Sequence, residues 1–162
     1  MEMMKTNSKR MVGIAAAFAV ASELARRDIY AQPTFGHRKR TELLILGKDD
    51  RAIRVEARGK QSKQWPNCKG IADSNSVLVL VDFEGKTEKD RPDFYILTVD
   101  DWLAFVRKWI QKLPHKKIEL DYENCPIWPT EVKAGKPYRG MGVEVKDVSM
   151  HKEAWGKIPE MK

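Results

Sequence analysis

The segment from Thr41 to Lys60 constrains the fold of this chain more than any other. Two runs, Thr41-Glu42-Leu43-Leu44-Ile45-Leu46 and Ile53-Arg54-Val55-Glu56-Ala57-Arg58-Gly59-Lys60, flank a polar turn at Gly47-Lys48-Asp49-Asp50-Arg51. Side chains alternate between the two faces of a strand. Ile53, Val55 and Ala57 therefore suit a core, while Arg54, Glu56 and Arg58 form a row of alternating charge on the opposite face. The two runs are expected to pair as an antiparallel hairpin, which places Glu42 near that row. Two carboxylates beside a cation, on rigid strands, can hold a divalent metal against a phosphate. The same row suits a solvated sheet face, where cross-strand Arg–Glu pairs contribute about 0.2–1 kcal/mol each.

Upstream, the spacing predicts a helix over roughly Ser8 to Arg27, then a strand near Ile29 to Thr34. Met11, Ile14, Phe18, Ala21 and Ala25 form one helical stripe, and Gly13, Ala17, Val20 and Leu24 a second beside it. Lys5, Lys9 and Arg10 before an apolar run ending Ala19-Val20-Ala21 imitate a secretory signal. The helical pattern continues past that point, with Glu23 and Arg27 at a favourable i,i+4 spacing, so the segment reads as the opening helix of the fold. No apolar run approaches the length of about 18 residues that a membrane span needs.

Downstream, Gly59 to Ser76 is polar and without a clear period, and its Trp65 is expected to pack against the domain. Ser76 to Phe83 is almost wholly apolar, which suits a central strand covered on both faces. A strand over Asp93–Val99 and a capping box at Thr98-Val99-Asp100-Asp101 lead into a helix whose buried stripe is Trp102, Val106, Trp109 and Leu113. From about residue 115 an irregular excursion rich in proline and glycine follows, with a short strand near Gly142–Val145 and a terminal helix over Ser149–Ile158 that docks Trp155. Cys68 and Cys125 stand alone in the sequence. With His115 and His151 they match no zinc-site spacing, so two free thiols are expected.

This order of elements, with the charged hairpin inside it, resembles the PD-(D/E)XK nuclease superfamily, the restriction-endonuclease-like fold, and in particular its small bacterial members. That family carries an acidic residue on one hairpin strand and a (D/E)-x-K or Q-x-K triplet on the next. Here Glu42 takes the first position. The triplet falls on Glu56-Ala57-Arg58 or, with its charges inverted, on Arg54-Val55-Glu56, and both registers use the same face. The resemblance implies an α/β fold with a mixed central sheet flanked by helices, forming a single domain over residues 1–162. It also implies Mg²⁺ held by Glu42 and Glu56, with Arg58 or Lys60 steadying the scissile phosphate and the carboxylates within about 4–6 Å of each other.

Three positions depart from the family pattern. Glutamate replaces the usual aspartate at Glu42, and arginine replaces lysine at Arg58. Arginine stays charged and planar and does not readily take a proton. Gly13-Ile14-Ala15-Ala16-Ala17 stands where many relatives carry G-x-x-G-E, and Glu23, the one acid in the helix, reads as a partner of Arg27. Pro92-Asp93 spells the namesake dipeptide, but no acid-x-Lys triplet follows it.

The formal net charge is +7, and residues 1–60 hold 13 Lys and Arg against 7 Asp and Glu. Arg38, Lys39 and Arg40 lead directly into the Glu42 strand, and with Arg54 they are the expected nucleic-acid contacts. The expectation is a cytoplasmic, nuclease-like nucleic-acid-binding protein with a degenerate metal-dependent active site and weak hydrolysis at most. The competing class is a non-catalytic protein-interaction or structural module on the same fold. A homodimer is compatible with either.

Overall fold

The computed structural model describes residues 8–34, 42–47 and 50–159. Among them a helix, α1 (Lys9–Ala25), precedes strands β1 (Ala31–Thr34), β2 (Glu42–Leu46), β3 (Ala52–Lys60), β4 (Gln64–Cys68), β5 (Ser76–Asp82) and β6 (Asp93–Leu97). Helix α2 (Val99–Lys112) follows, then β7 (Glu119–Leu120), β8 (Pro126–Lys133), β9 (Lys136–Arg139), β10 (Met141–Glu144) and the short helix α3 (Val145–Val148). The fold is mixed α/β. Its main sheet has the order β1-β2-β3-β5-β6. Only β3 and β5 are parallel; the other neighbours are antiparallel. The expected hairpin is present, with Leu43 opposite Val55 and Leu44 opposite Arg54.

Alternation along β3 divides the core in two. Ile53, Val55 and Ala57 join Val77, Val79 and Val81 of β5 in a cluster beneath α1. The opposite face of β5, Leu78 and Leu80, packs with Trp102, Phe105 and Val106 of α2 and with Trp65, Met141 and Val143. β4 and β10 pair antiparallel and, with α2, form the layer over that second face.

Ser8 caps α1 by accepting a hydrogen bond from the Met11 amide. Of the two expected stripes, the small-residue one is inside: Ala17, Val20 and Leu24 are buried, with Val12 and Ala16 beside them. Met11 and Phe18, placed in the other stripe, are 54% and 56% exposed. The cause is close approach. A Cβ on Gly59 would lie 2.8 Å from the Val12 carbonyl oxygen and 3.1 Å from Ala16 Cβ. A helix that near a strand must present its alanines.

Three further expectations change. The polar stretch after β3 contains strand β4, and Trp65 is fully buried, its Nε1 donating to the Val81 carbonyl at 3.1 Å. The excursion from residue 115 is largely a three-stranded antiparallel sheet, β7-β8-β9. In place of a terminal helix stand α3 and 3-10 turns at Ser149–His151 and Trp155–Lys157. Trp155 still docks, its ring 5.2 Å from that of Phe94. The expected cap on α2 is present, with Thr98 and Asp101 bonded reciprocally.

Gly70 joins the two sides of the second core. Its φ is +84°, and a Cβ there would lie 2.2 Å from Trp102 Nε1, which donates to the Asn124 carbonyl at 2.8 Å. Gly70→Ala combines a left-handed backbone with a clash against an immobile ring. It should cost about 2 kcal/mol or more in urea unfolding.

Glu23 ties α1 to the far end of the chain. It is buried and receives Arg26 at 3.2 Å, Arg27 at 2.8 Å and Arg91 at 2.9 Å. Arg91 also meets Glu153 at 2.5 Å. The hydrogen bond from Arg91, opposed by burial and helped by Arg27, holds the Glu23 carboxyl at about 2 against an ordinary 4.5. Its stabilisation is complete above pH 4.5 and is lost as pH falls from 4.5 toward 2, since only the unfolded chain takes up that proton in this range. With the arginines partly in solvent, about 2–3 kcal/mol is expected. Stability measured against pH should flatten across that window in Glu23→Gln.

Candidate functional site

Glu56, Arg58 and Lys60 leave β3 on the face opposite α1, and that face is covered. Glu56 and Lys60 are buried, while the Arg58 side chain is 26% exposed. The hairpin register sets Glu42 directly across from Glu56, as the sequence implies. The expected spacing of their carboxylates involves the Glu42 side chain, which lies outside the described residues, as do Arg38, Lys39 and Arg40. Arg54, the remaining expected nucleic-acid contact, pairs on the surface with Asp73 at 3.2 Å.

Around Glu56 the nearest described cation is Arg58, its Nη1 3.9 Å from Glu56 Oε1. Arg58 is anchored from the other side, donating through Nη2 to the Pro66 carbonyl at 2.7 Å. The guanidinium thus bridges β3 to β4. Cys68 of β4 is fully buried beside this pair. Burial pushes its thiol up to about 12; Arg58 pulls it down and Glu56 raises it further. A thiol held protonated is a poor nucleophile at neutral pH.

Lys60, expected to steady a phosphate, is placed inside the protein. Its side chain is fully buried, with Nζ 2.7 Å from Asp82 and 2.8 Å from Glu84, donating also to the Ser62 carbonyl at 2.9 Å. The ammonium lies 4.9 Å from the centre of the Trp65 ring. Parallel pairing of β3 with β5 sets Lys60 opposite Asp82, so register alone brings the two charges together. Two hydrogen bonds, to Glu84 and to the Ser62 carbonyl, and the ion pair with Asp82 hold the buried ammonium.

A Mg²⁺ site needs several oxygen donors in near-octahedral order. Among the described residues, no three His, Cys, Asp or Glu side chains gather closely enough to hold a metal. The described donors near Glu56 are one carboxylate, a guanidinium fixed by a carbonyl and a protonated thiol, and these do not fit the ion by themselves. Glu23, the acid of the first helix, is engaged with three arginines.

Beyond β4 lies a feature that the sequence reading did not assemble. Trp109 of α2, Trp128 of β8 and Tyr138 of β9, with Pro66 of β4, line a cleft of about 300 Å³. Trp109 was expected in the core and is instead half-buried at this cleft. The available signal was local charge: residues 102–118 hold five Lys and Arg and no Asp or Glu. Counting charge over residues 61–162 together, 17 against 16, averages that run away.

The chain matches no family model, no curated protein and no solved structure. No helix among the described residues is long and apolar enough to cross a membrane.

Removing the Lys60 ammonium leaves Asp82 buried without its main counter-charge. Lys60→Met should lose about 3–5 kcal/mol in chemical denaturation, and Lys60→Met with Asp82→Leu should recover most of it. Equal stability of the single variant and the parent would remove Lys60 from its structural role.

Proposed function

We propose that the protein binds nucleic acid on a nuclease-like sheet whose hydrolytic site is degenerate. The observation that carries this reading is the Arg58 bridge. In the position where the resembled family has lysine beside its acidic residues, this chain has a guanidinium that donates to the Pro66 carbonyl at 2.7 Å and lies 3.9 Å from Glu56. The helix, the antiparallel β1-β2-β3 run and the parallel β5 that follows support the restriction-endonuclease-like assignment. So does Glu42 opposite Glu56.

On this reading Glu42 and Glu56 are the pair that would hold Mg²⁺, whose part is to acidify a water. Arg58 contributes a fixed positive charge to the surroundings of Glu56, and it cannot take a proton in turn. The net charge of +7 favours a polyanion in general. Binding carried by lysine and arginine weakens as salt rises, because neutralised phosphates release condensed counterions.

Purified protein offered mixed DNA and RNA should bind with an affinity that falls steeply between about 50 and 200 mM salt. Cleavage in Mg²⁺ or Mn²⁺ should be feeble. Robust cleavage abolished by Glu56→Ala would establish an enzyme and overturn the degenerate site. No binding even at low salt would remove nucleic acid altogether and leave a protein-interaction module.

A further inference from the structure

We infer that the aromatic cleft between α2 and the β8–β9 hairpin receives an unpaired base of single-stranded nucleic acid, with the adjoining phosphates on lysines along its rim. This rests on the nucleic-acid reading above and gives it a place and a strand type. The cleft lies apart from Glu56, across β4, and none of the residues lining it belongs to the charged row of β3.

Three properties of the walls point to a base. First, the cleft is aromatic on three sides. The rings of Trp128 and Tyr138 stand 6.4 Å apart at 45°, and Trp109 faces them from α2. Planar heteroaromatic groups stack on such surfaces whatever the base. Second, the aromatic groups are held. Trp128 donates through Nε1 to the Gly140 carbonyl at 2.8 Å, and the Tyr138 hydroxyl donates to Asn67 Oδ1 at 2.7 Å. Rings fixed by hydrogen bonds lose little freedom when a ligand stacks on them. Third, the amides of Gln64 and Asn67 stand at the edge. With Asn67 Oδ1 engaged by Tyr138, its NH₂ remains to donate to a base carbonyl.

The rim supplies the charge. Lys112 Nζ lies 5.5 Å from the Trp109 ring centre, and Lys108, one turn earlier on α2, shares that exposed side. On the opposite wall Lys69 Nζ is 6.0 Å from the Tyr138 ring and donates to the Arg139 carbonyl. The acid-free run 102–118 makes this end of α2 uniformly positive. A proline-rich peptide would also suit an aromatic groove, but it would bring no charge to meet these lysines. A duplex would present its backbone while keeping its bases stacked inside. An unpaired strand offers both the planar group and the flanking phosphates.

The test is a fluorescence titration of the full chain at fixed salt. The ligands are an oligothymidine, an abasic strand of equal length and a duplex, with a proline-rich peptide as a further probe. The oligothymidine should quench tryptophan emission and bind more tightly than the abasic strand or the duplex. Tyr138→Leu and Trp109→Leu should each weaken it about 5- to 100-fold, the range expected for losing one stacked base. Lys108→Ala with Lys112→Ala, both on the surface, should weaken every strand and lower the salt slope. Equal affinity for the oligothymidine and the abasic strand would overturn the base cleft and leave nucleic-acid binding in place. That comparison needs no variant, so poor folding of Trp109→Leu does not obscure it. Binding of the peptide alone, or of no strand even at low salt, would overturn both.

Discussion

A single buried ammonium organises one whole side of the molecule. Lys60 ends β3 facing away from α1, and it is met there by Asp82, Glu84, the Ser62 carbonyl and the Trp65 ring. Each contact constrains a different segment. Asp82 aligns the ends of the parallel β3–β5 pair. The Ser62 carbonyl turns the chain sharply back after β3, and Trp65 brings β4 down onto the sheet. Trp65 then donates to the Val81 carbonyl and meets Tyr95 edge-on at 5.8 Å, so β4 is locked to β5 and β6. Desolvating a lysine is costly, and a pair of this kind is retained when it specifies one arrangement among several. Here the arrangement specified is a β-ribbon covering half of a sheet face that a second helix would otherwise have to cover.

That cover determines what the charged row can do. On an open sheet Glu56 and Arg58 would meet substrate directly. Under β4, Glu56 is buried, and Arg58 reaches across to the Pro66 carbonyl. A guanidinium suits the bridge, because its planar fork can serve a carbonyl on one side and a carboxylate on the other. Arg58 is therefore the side chain that fastens the second layer to β3.

The parts of the fold legible in the sequence are those fixed by local periodicity. Strict alternation from Ile53 to Ala57 after a polar turn marked the hairpin, and the apolar run at Ser76 marked a strand covered on both faces. Thr98 and Asp101 marked the start of α2. β4 was not legible, because its inward residues break period two. Trp65 and Cys68 both point inward, three apart, with Asn67 between them at φ +55°. Nothing local distinguishes that from a loop. β8 carries Pro126 and Pro129 and an irregular register between Trp128 and Val132, so its sequence lacks the period-two pattern that marks a strand. The ion pair of Lys60 with Asp82 required knowing that two distant strands run parallel. In the opening helix both stripes suited a core, and the glycine on β3, which lets the helix come close, goes with burial of the small-residue one.

The site follows the same division. Glu42 and Glu56 were readable as a pair because a hairpin converts sequence spacing into adjacency. The aromatic cleft was not, because the β8–β9 hairpin that sets Trp128 opposite Tyr138 lies in a proline-rich stretch, and Trp109 joins them from α2 by tertiary packing alone. What links the two regions is Pro66. It lines the cleft, while its carbonyl accepts a hydrogen bond from Arg58. A ligand seated in the cleft therefore touches the strand that carries the guanidinium's acceptor. Electrostatic reach runs the same way: burial raises the Tyr138 phenol, and Arg58 is close enough to oppose that rise. Arg58 in this way places a fixed positive charge behind a cleft whose own walls supply aromatic surfaces.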